Sequence, residues 1–518
     1  MGTKETEDTG RPVLDPAEAL DPAEDLFEGL YGGDDDAVVR ALRAGAPAEA
    51  TDEDGQTALY VATAQDRPVM VRLLLAAGAD PNRASGADGA ELPLCGAAVW
   101  GRTEVMRALL AAGARPDLQE GDGGVRALTW ACRQGRAEAV ELLLANGADP
   151  DLPGPGEEPP LVTAVRRGSP SSVRALLRHG AAAKEDALTE ARRWLGVDIE
   201  DELRRTLADR HREEHGDDCA TFVGALAHRV EEDGGVTVVV ELHHDGGGVT
   251  GAEQQTGHAA VATLLEEELG LRTPAGTLAE RALRGGDPDQ DDWTEAVAVL
   301  QRRGDEDTFR AATAWCGTED PLRQMFAADV LAGLADDGMP ARAVPLLREL
   351  SREARDPEVI RAAVAALGQQ ADPAGVTEIL RHAGHPDPEV RFGVAVALHG
   401  LLPADRADGV EAVVALTRDP DDGVRDWATT VLADVEEDTP AIRDALAARL
   451  EDSVPDIEAE AARGLAMRQD ARAAGALARI LETEDPDGYA YSTADQAVEY
   501  VEDEGVRRLL EATVPRSR

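Results

Sequence analysis

Apolar and polar positions along the N-terminal part of the chain recur as a unit. Leu74-Leu75-Ala76-Ala77-Gly78-Ala79, Leu109-Leu110-Ala111-Ala112-Gly113-Ala114 and Leu143-Leu144-Ala145-Asn146-Gly147-Ala148 are near copies. Leu176 to Ala181 is a fourth copy, and Ala41 to Ala46 a weaker first one. Their glycines, Gly45, Gly78, Gly113, Gly147 and Gly180, advance by 33, 35, 34 and 33 residues. Ahead of each full copy a leucine recurs in step (Leu59, Leu94, Leu128, Leu161), followed three positions later by Ala62, Ala97, Ala131 and Ala164. The pattern predicts two helices per unit. The alanine lets neighbouring first helices approach closely, the paired leucines enter the next unit's core, and the glycine supplies the left-handed residue that ends the second helix. Polar stretches such as Asp52-Glu53-Asp54-Gly55 and Glu120-Gly121-Asp122-Gly123 are then tips between units.

The C-terminal half has a different rhythm. Asp356-Pro357-Glu358-Val359, Asp387-Pro388-Glu389-Val390-Arg391 and Asp419-Pro420-Asp421-Asp422-Gly423-Val424-Arg425 each precede a run of Ala, Val and Leu. Asp320-Pro321-Leu322-Arg323 comes earlier and the looser Asp452-Ser453-Val454-Pro455-Asp456-Ile457 later. Val359, Val390, Val424 and Ile457 are spaced by 31, 34 and 33 residues. Asp-Pro-acid is a helix start: Asp caps, Pro fits the first turn, and the acid meets the positive end of the helix. Residues 187–279 follow neither period. Ile199, Leu203 and Leu207 predict an amphipathic helix ending near Gly216, and Val236 to Leu242 predicts a strand. His243-His244-Asp245-Gly246-Gly247-Gly248 reads as a turn, a second strand is expected near Val249 to Glu253, and His258 to Leu269 returns to helix. The acidic, Pro- and Thr-containing opening predicts a disordered tail.

A period near 33 built from helix, helix, Gly-Ala and loop resembles the ankyrin repeat, over about residues 24–185. Its Thr-Pro-Leu-His box survives only as Thr57-Ala58-Leu59-Tyr60, Leu92-Pro93-Leu94-Cys95, Arg126-Ala127-Leu128-Thr129 and Pro159-Pro160-Leu161-Val162, without the histidine that braces the turn. The Asp-Pro-x-x-Arg repetition resembles the short HEAT-like repeats of phycobilisome bilin lyases, over about residues 280–515. Together these resemblances imply a mainly α fold of two helical-repeat solenoids, ankyrin and HEAT-like, joined by a small α+β insert. The expected division is a tail over 1–23, an ankyrin-repeat domain over 24–185, an α+β linker domain over 186–279 and a HEAT-like domain over 280–518.

Composition narrows the partners. With Lys+Arg 52 against Asp+Glu 101 the formal charge is 52 − 101 = −49, which repels phosphate backbones and anionic lipid, so neither nucleic acid nor membrane is an expected partner. Apolar residues at 43% suffice for buried cores, and no apolar run reaches the 18 or more residues of a membrane span. All basic residues except Lys4 and Lys184 are arginine, a bias expected of a GC-rich bacterial genome and one that favours ion-pair networks. No basic-apolar leader opens the chain, so a cytoplasmic location is expected. Cys95, Cys132, Cys219 and Cys316 are far apart, without C-x-x-C or Cys/His spacing, which removes zinc-ribbon and redox readings.

The sharper chemical motifs are weak. His211-Arg212-Glu213-Glu214-His215 fits the inverted zinc-protease pattern H-x-x-E-H, but both histidines continue the 199/203/207 stripe and no third ligand follows. His243-His244-Asp245 lies in a Gly-rich turn, where solvated histidines are the rule. No phosphate-cradling loop and no G-x-S-x-G elbow is present. Neither a catalytic residue, a metal site nor a cofactor is therefore expected. The ankyrin resemblance is more informative, because the two positions closing each first helix often face the groove in that family. Here they are Ala64-Gln65, Val99-Trp100, Arg133-Gln134 and Arg166-Arg167. The resemblance thus implies a partner-binding strip of Trp100, Arg133, Gln134, Arg166 and Arg167, rich in the residue types that anchor interfaces and suited to a partner with an acidic docking surface. The expected function is a non-catalytic protein-binding scaffold or adaptor; the alternative is an enzyme or chromophore-handling factor resembling HEAT-like bilin lyases.

Overall fold

The computed structural model describes residues 21–121, 123–215, 222–232, 235–244, 249–334, 338–403 and 406–513. Two compact units divide the chain, one ending at Arg272 and taking in Gln290–Asp292, the other made of Thr273–Asp289 and Trp293 onward. Of the predicted tail, residues 1–20 lie outside the described residues, while Asp21 caps a helix, Pro22–Gly32.

In the first unit the repeated pattern becomes helix pairs: Ala58–Ala64 with Pro68–Ala76, Pro93–Val99 with Thr103–Ala111, Ala127–Arg133 with Ala137–Ala145, and Pro160–Arg167 with Pro170–Arg178. The in-step alanines Ala62, Ala97, Ala131 and Ala164 are all 0% exposed, so no larger side chain fits where first helices stack. Gly45, Gly78, Gly113, Gly147 and Gly180 all have positive φ, between 86° and 102°, the conformation an L side chain resists. The turns stand without the box histidine because the following tip supplies acceptors. The Ser85 hydroxyl accepts the Thr57 N–H at 2.9 Å, and the Glu120 carboxylate accepts both the Leu92 N–H at 2.9 Å and the Trp130 indole N–H at 2.8 Å. Further along, Asn82, Asp117 and Asp151 accept the N–H groups of Arg115, Asp149 and Ala182 at 2.8, 3.1 and 2.8 Å, tying each loop to the next.

The insert belongs to the same unit. Strands β1 (Phe222–Glu232), β2 (Gly235–His244) and β3 (Val249–Gln255) form an antiparallel sheet in the order β1-β2-β3. Val240 pairs with Ala227 on one side and Ala252 on the other. Val238, Val240 and Leu242 bury one face of the sheet against Leu203 and Leu207 of the helix Ile199–His215. The sequence pattern predicts β2 and β3 but not β1. Among the residues of that edge strand whose side chains are described, the large apolar ones, Leu226 and Val230, are exposed, and it is Ala227 that packs against this core. Its alternation therefore marks no buried face. The helix His258–Glu268 then places Val261, Ala262 and Leu265 in the core of the helix-pair array itself.

In the second unit the helices Pro321–Ala332, Pro357–Gln369, Pro388–Leu398, Asp422–Asp434, Pro455–Met467 and Tyr489–Val498 pack side by side in order. Small residues set the approach: a Cβ on Gly368 would come within 2.8 Å of Ala397, and one on Gly464 within 2.8 Å of Ala433. Asp356 and Asp387 cap as their motifs predict, accepting the N–H groups of Glu358 and Glu389 at 3.0 and 2.9 Å. At the third motif the helix starts later, at Asp422, with Asp421 as the cap. Asp419 accepts the Asp421 N–H at 3.0 Å and, in addition, the guanidinium of Arg391 through both oxygens at 2.7 and 2.8 Å. Arg425 forks onto Asp452 in the same way at 3.2 and 3.1 Å, and each arginine also donates to carbonyls of the turn ahead of its helix, Arg391 to His385 and Pro386 and Arg425 to Asp419 and Pro420. The arginine of the repeat motif thus links one turn to the next.

Candidate partner-binding surface

The positions that close the first helices are held outward by the turns that follow them. Trp100 is the residue after Val99 and precedes Gly101 at φ 66°, so the chain reverses there and leaves the indole 65% exposed. Gln134 occupies the equivalent place before Gly135 and is half-buried. Arg133 is exposed, its guanidinium 5.1 Å from the centroid of the Trp130 ring. That stacking pre-orders a long side chain while its charge stays at the surface.

The two arginines of the last pair are placed differently. Arg166 bridges Glu158 at 2.5 Å and Glu190 at 3.0 Å. Burial opposes both charges, yet mutual pairing prevails, holding Glu190 below the usual carboxylate range and raising Arg166. The Arg167 side chain is buried and donates to the carbonyl and the carboxylate of Glu253 on β3, at 2.7 and 2.6 Å. The backbone carbonyl of Arg166 is met by the Gln254 amide and, at 3.2 Å, by His258 Nε2. His258 stacks on Trp194 with ring centroids 4.8 Å apart, and burial pushes its pKa down to about 4, so the ring is neutral. A Cβ on Gly135 or Gly168 would collide with Gln255, which shows how closely the insert approaches these turns.

Of the expected strip, then, the structure leaves Trp100, Arg133 and Gln134 at the surface and turns Arg166 and Arg167 onto carboxylates of the same chain. Sequence reasoning missed Glu158, Glu190, Glu253, Gln254 and His258. Nothing local signals them, since Glu253 lies 86 residues from Arg167 along the chain. Between the strip and the sheet lies a cleft of about 600 Å³, lined by Trp100, Gly135, Arg136, Glu138, Glu232 and Gln255 among others. Its walls carry both signs of charge.

The remaining motifs fall elsewhere. His211 is buried on the face that carries Leu203 and Leu207, while the side chain of His215 lies outside the described residues. His243 is exposed, and the His244 side chain and Asp245 lie outside the described residues. Among the described residues no group of three or more His, Cys, Asp or Glu side chains is arranged to hold a metal ion. Burial raises the Cys95 and Cys132 thiols far above the ordinary range and Cys316 to about 12, which leaves them unreactive. Cys219 lies outside the described residues. No described helix is long and apolar enough to cross a membrane.

Comparison with known families gives two matches. Residues 28–120 and 94–187 match ankyrin repeats (3 copies), and residues 344–433 match HEAT repeats. No curated protein matches the chain. The chain therefore carries ankyrin repeats in its N-terminal part and HEAT repeats in its C-terminal part. Repeats of both kinds typically serve as protein-interaction scaffolds and are usually non-catalytic. The match reaches HEAT repeats as a class and does not single out the bilin-lyase kind.

Proposed function

We propose that this ankyrin- and HEAT-repeat chain is a non-catalytic protein-binding scaffold whose ankyrin groove grips a partner through Trp100, Arg133 and Gln134. The exposure of Trp100 carries the reading. A large aromatic ring held 65% exposed at the mouth of a cleft gains most by being covered, and aromatic and arginine side chains anchor interfaces disproportionately. Arg133, ordered over Trp130 at the end of the next first helix, offers one cation on the same strip. Arg167 serves as a positioning residue, holding β3 against the last repeat and so forming the cleft's far wall, while Arg166 ties that repeat to Glu190 of the helix Lys184–Trp194. With Glu138 and Glu232 on the walls, the groove suits an apolar side chain followed by one acidic residue rather than a uniformly acidic surface.

Alanine variants separate these roles. Trp100→Ala and Arg133→Ala should each weaken binding of an identified partner about tenfold or more, roughly 1.4 kcal/mol, with an unchanged melting temperature. Arg167→Ala should lower the melting temperature. If Trp100→Ala leaves the affinity unchanged, the groove does not bind the partner.

A further inference from the structure

Apart from Tyr500 and Leu509, the exposed large apolar side chains described in the HEAT half lie along one run of helices. Val396, Met467 and Tyr489 are 37%, 39% and 56% exposed, and the half-buried Phe392 and Trp427 share their row. They stand on four successive helices, from Pro388–Leu398 to Tyr489–Val498. Contacts tie the row together. The Phe392 ring lies 3.3 Å from where a Cβ of Gly423 would stand, so glycine leaves it room, and the His399 ring sits 5.8 Å from Trp427. Tyr489 Oη donates to Glu460 at 2.6 Å.

Most charges along the row are already matched. Arg463 bridges Asp434 at 2.8 Å and Glu460 at 2.6 Å, and His399 reaches Asp434 at 3.1 Å. Asp426 is the exception. Its Oδ1 is shielded from solvent and accepts no hydrogen bond, and the charges that act on it are Asp456 and Glu460, of its own sign. Desolvation and these two neighbours push its carboxyl up to about 6. A carboxylate oxygen without a donor, flanked by like charge and near the exposed Tyr489 ring, lacks a cation. The chain's overall charge of −49 would draw cations anywhere on it; the rings and the unmatched oxygen are what make this place distinct.

We propose that this row docks a basic segment of a partner protein, seating a lysine or arginine on Asp426 beside the rings of Trp427 and Tyr489, with neighbouring apolar residues on Phe392 and Val396. The inference rests on the scaffold reading of the chain and is independent of the ankyrin groove. The cation would relieve the crowding of Asp426, Asp456 and Glu460 and gain the aromatic faces. The backbone of the segment would lie across successive helices, as the row does.

The test uses the full chain at physiological ionic strength and a fluorescein-labelled peptide alternating arginine with leucine and phenylalanine, followed by anisotropy. A peptide with glutamate in place of arginine serves as the negative probe. The basic peptide should bind, the acidic one should not, and Asp426→Asn and Tyr489→Ser should each weaken binding at least about tenfold. Glu319→Gln, an exposed carboxylate elsewhere in the same half, removes the same single charge and should change affinity less than about twofold. Trp100→Ala should bind the peptide as the wild type does. Absent binding, or an equal loss in Asp426→Asn and Glu319→Gln, would overturn the proposal by showing that only total charge matters. So would unchanged binding in both Asp426→Asn and Tyr489→Ser. Any of these would leave the ankyrin-groove reading standing. Asp426→Asn should keep or raise the melting temperature, so a loss of binding in that variant does not come from unfolding.

Discussion

His258 and Asp426 are both held away from their ordinary titration, with consequences of opposite sign. His258 has a folded pKa of about 4 against 6.5 when free, so the neutral ring is the folded form. Stability is complete above the free value and is lost as pH falls through 6.5 toward 4, by about 2 kcal/mol at pH 5. The melting temperature of the ankyrin-containing unit should fall over that window, and His258→Gln, which can still donate to the Arg166 carbonyl, should flatten the curve. Asp426 has its folded pKa raised from 3.8 to about 6, so ionisation is what costs stability. The penalty is absent below the free value and complete above the folded one. Asp426→Asn should therefore stabilise the protein at neutral pH by about 1 kcal/mol, a figure reduced for the screening of a half-exposed group, and should do nothing near pH 4. A thermal melt of the two proteins at both pH values decides this. Trp100 was legible in the sequence because repeat register fixes what closes a first helix. The fates of Arg166 and Arg167 were not, because each depends on a carboxylate brought in by distant chain.

At the scale of elements, helix starts were legible wherever capping is local. Asp356 and Asp387 cap as written. The third motif was misplaced because a further aspartate, Asp421, lies nearer the apolar run and takes the cap, leaving Asp419 to accept Arg391. Arg391 and Asp419 are both largely buried, so Arg391→Ala should cost about 2–3 kcal/mol, read as a lower urea midpoint, because it strands a buried carboxylate. Arg361→Ala, at an exposed pair within one helix, should cost about 0.5 kcal/mol or less. Arg167→Ala belongs between these, at about 2 kcal/mol, since its partner Glu253 is partly exposed. Strand β1 stayed hidden for a related reason: over its described side chains the core contact is an alanine and the large residues Leu226 and Val230 are exposed, which leaves no apolar alternation to read there. The box histidines raised the opposite problem. Their absence suggested weakened turns, whereas Ser85 and Glu120 supply the same acceptors from the next tip along.

For the whole molecule, the charge of −49 is largely organised rather than diffuse. Acids cap helices, accept loop N–H groups from the following repeat, and hold arginines in pairs. Two places among the described residues stand out as open to a partner: the exposed Trp100 ring at the ankyrin cleft, with Arg133 stacked at the end of the next first helix, and the Asp426 oxygen that accepts no hydrogen bond on the HEAT row. Both are gaps of the kind a protein partner fills, and they differ enough in character to serve two partners or two parts of one. The most direct measurement is site-specific photocrosslinking in the native cell, with a photoreactive phenylalanine placed at position 100 or, as a control, at Arg107, an exposed site on a neighbouring second helix. The scaffold account predicts a discrete protein adduct at position 100 that is absent at 107 and is lost when Arg133→Ala is added. No adduct at position 100, or the same adducts at both positions, would contradict it.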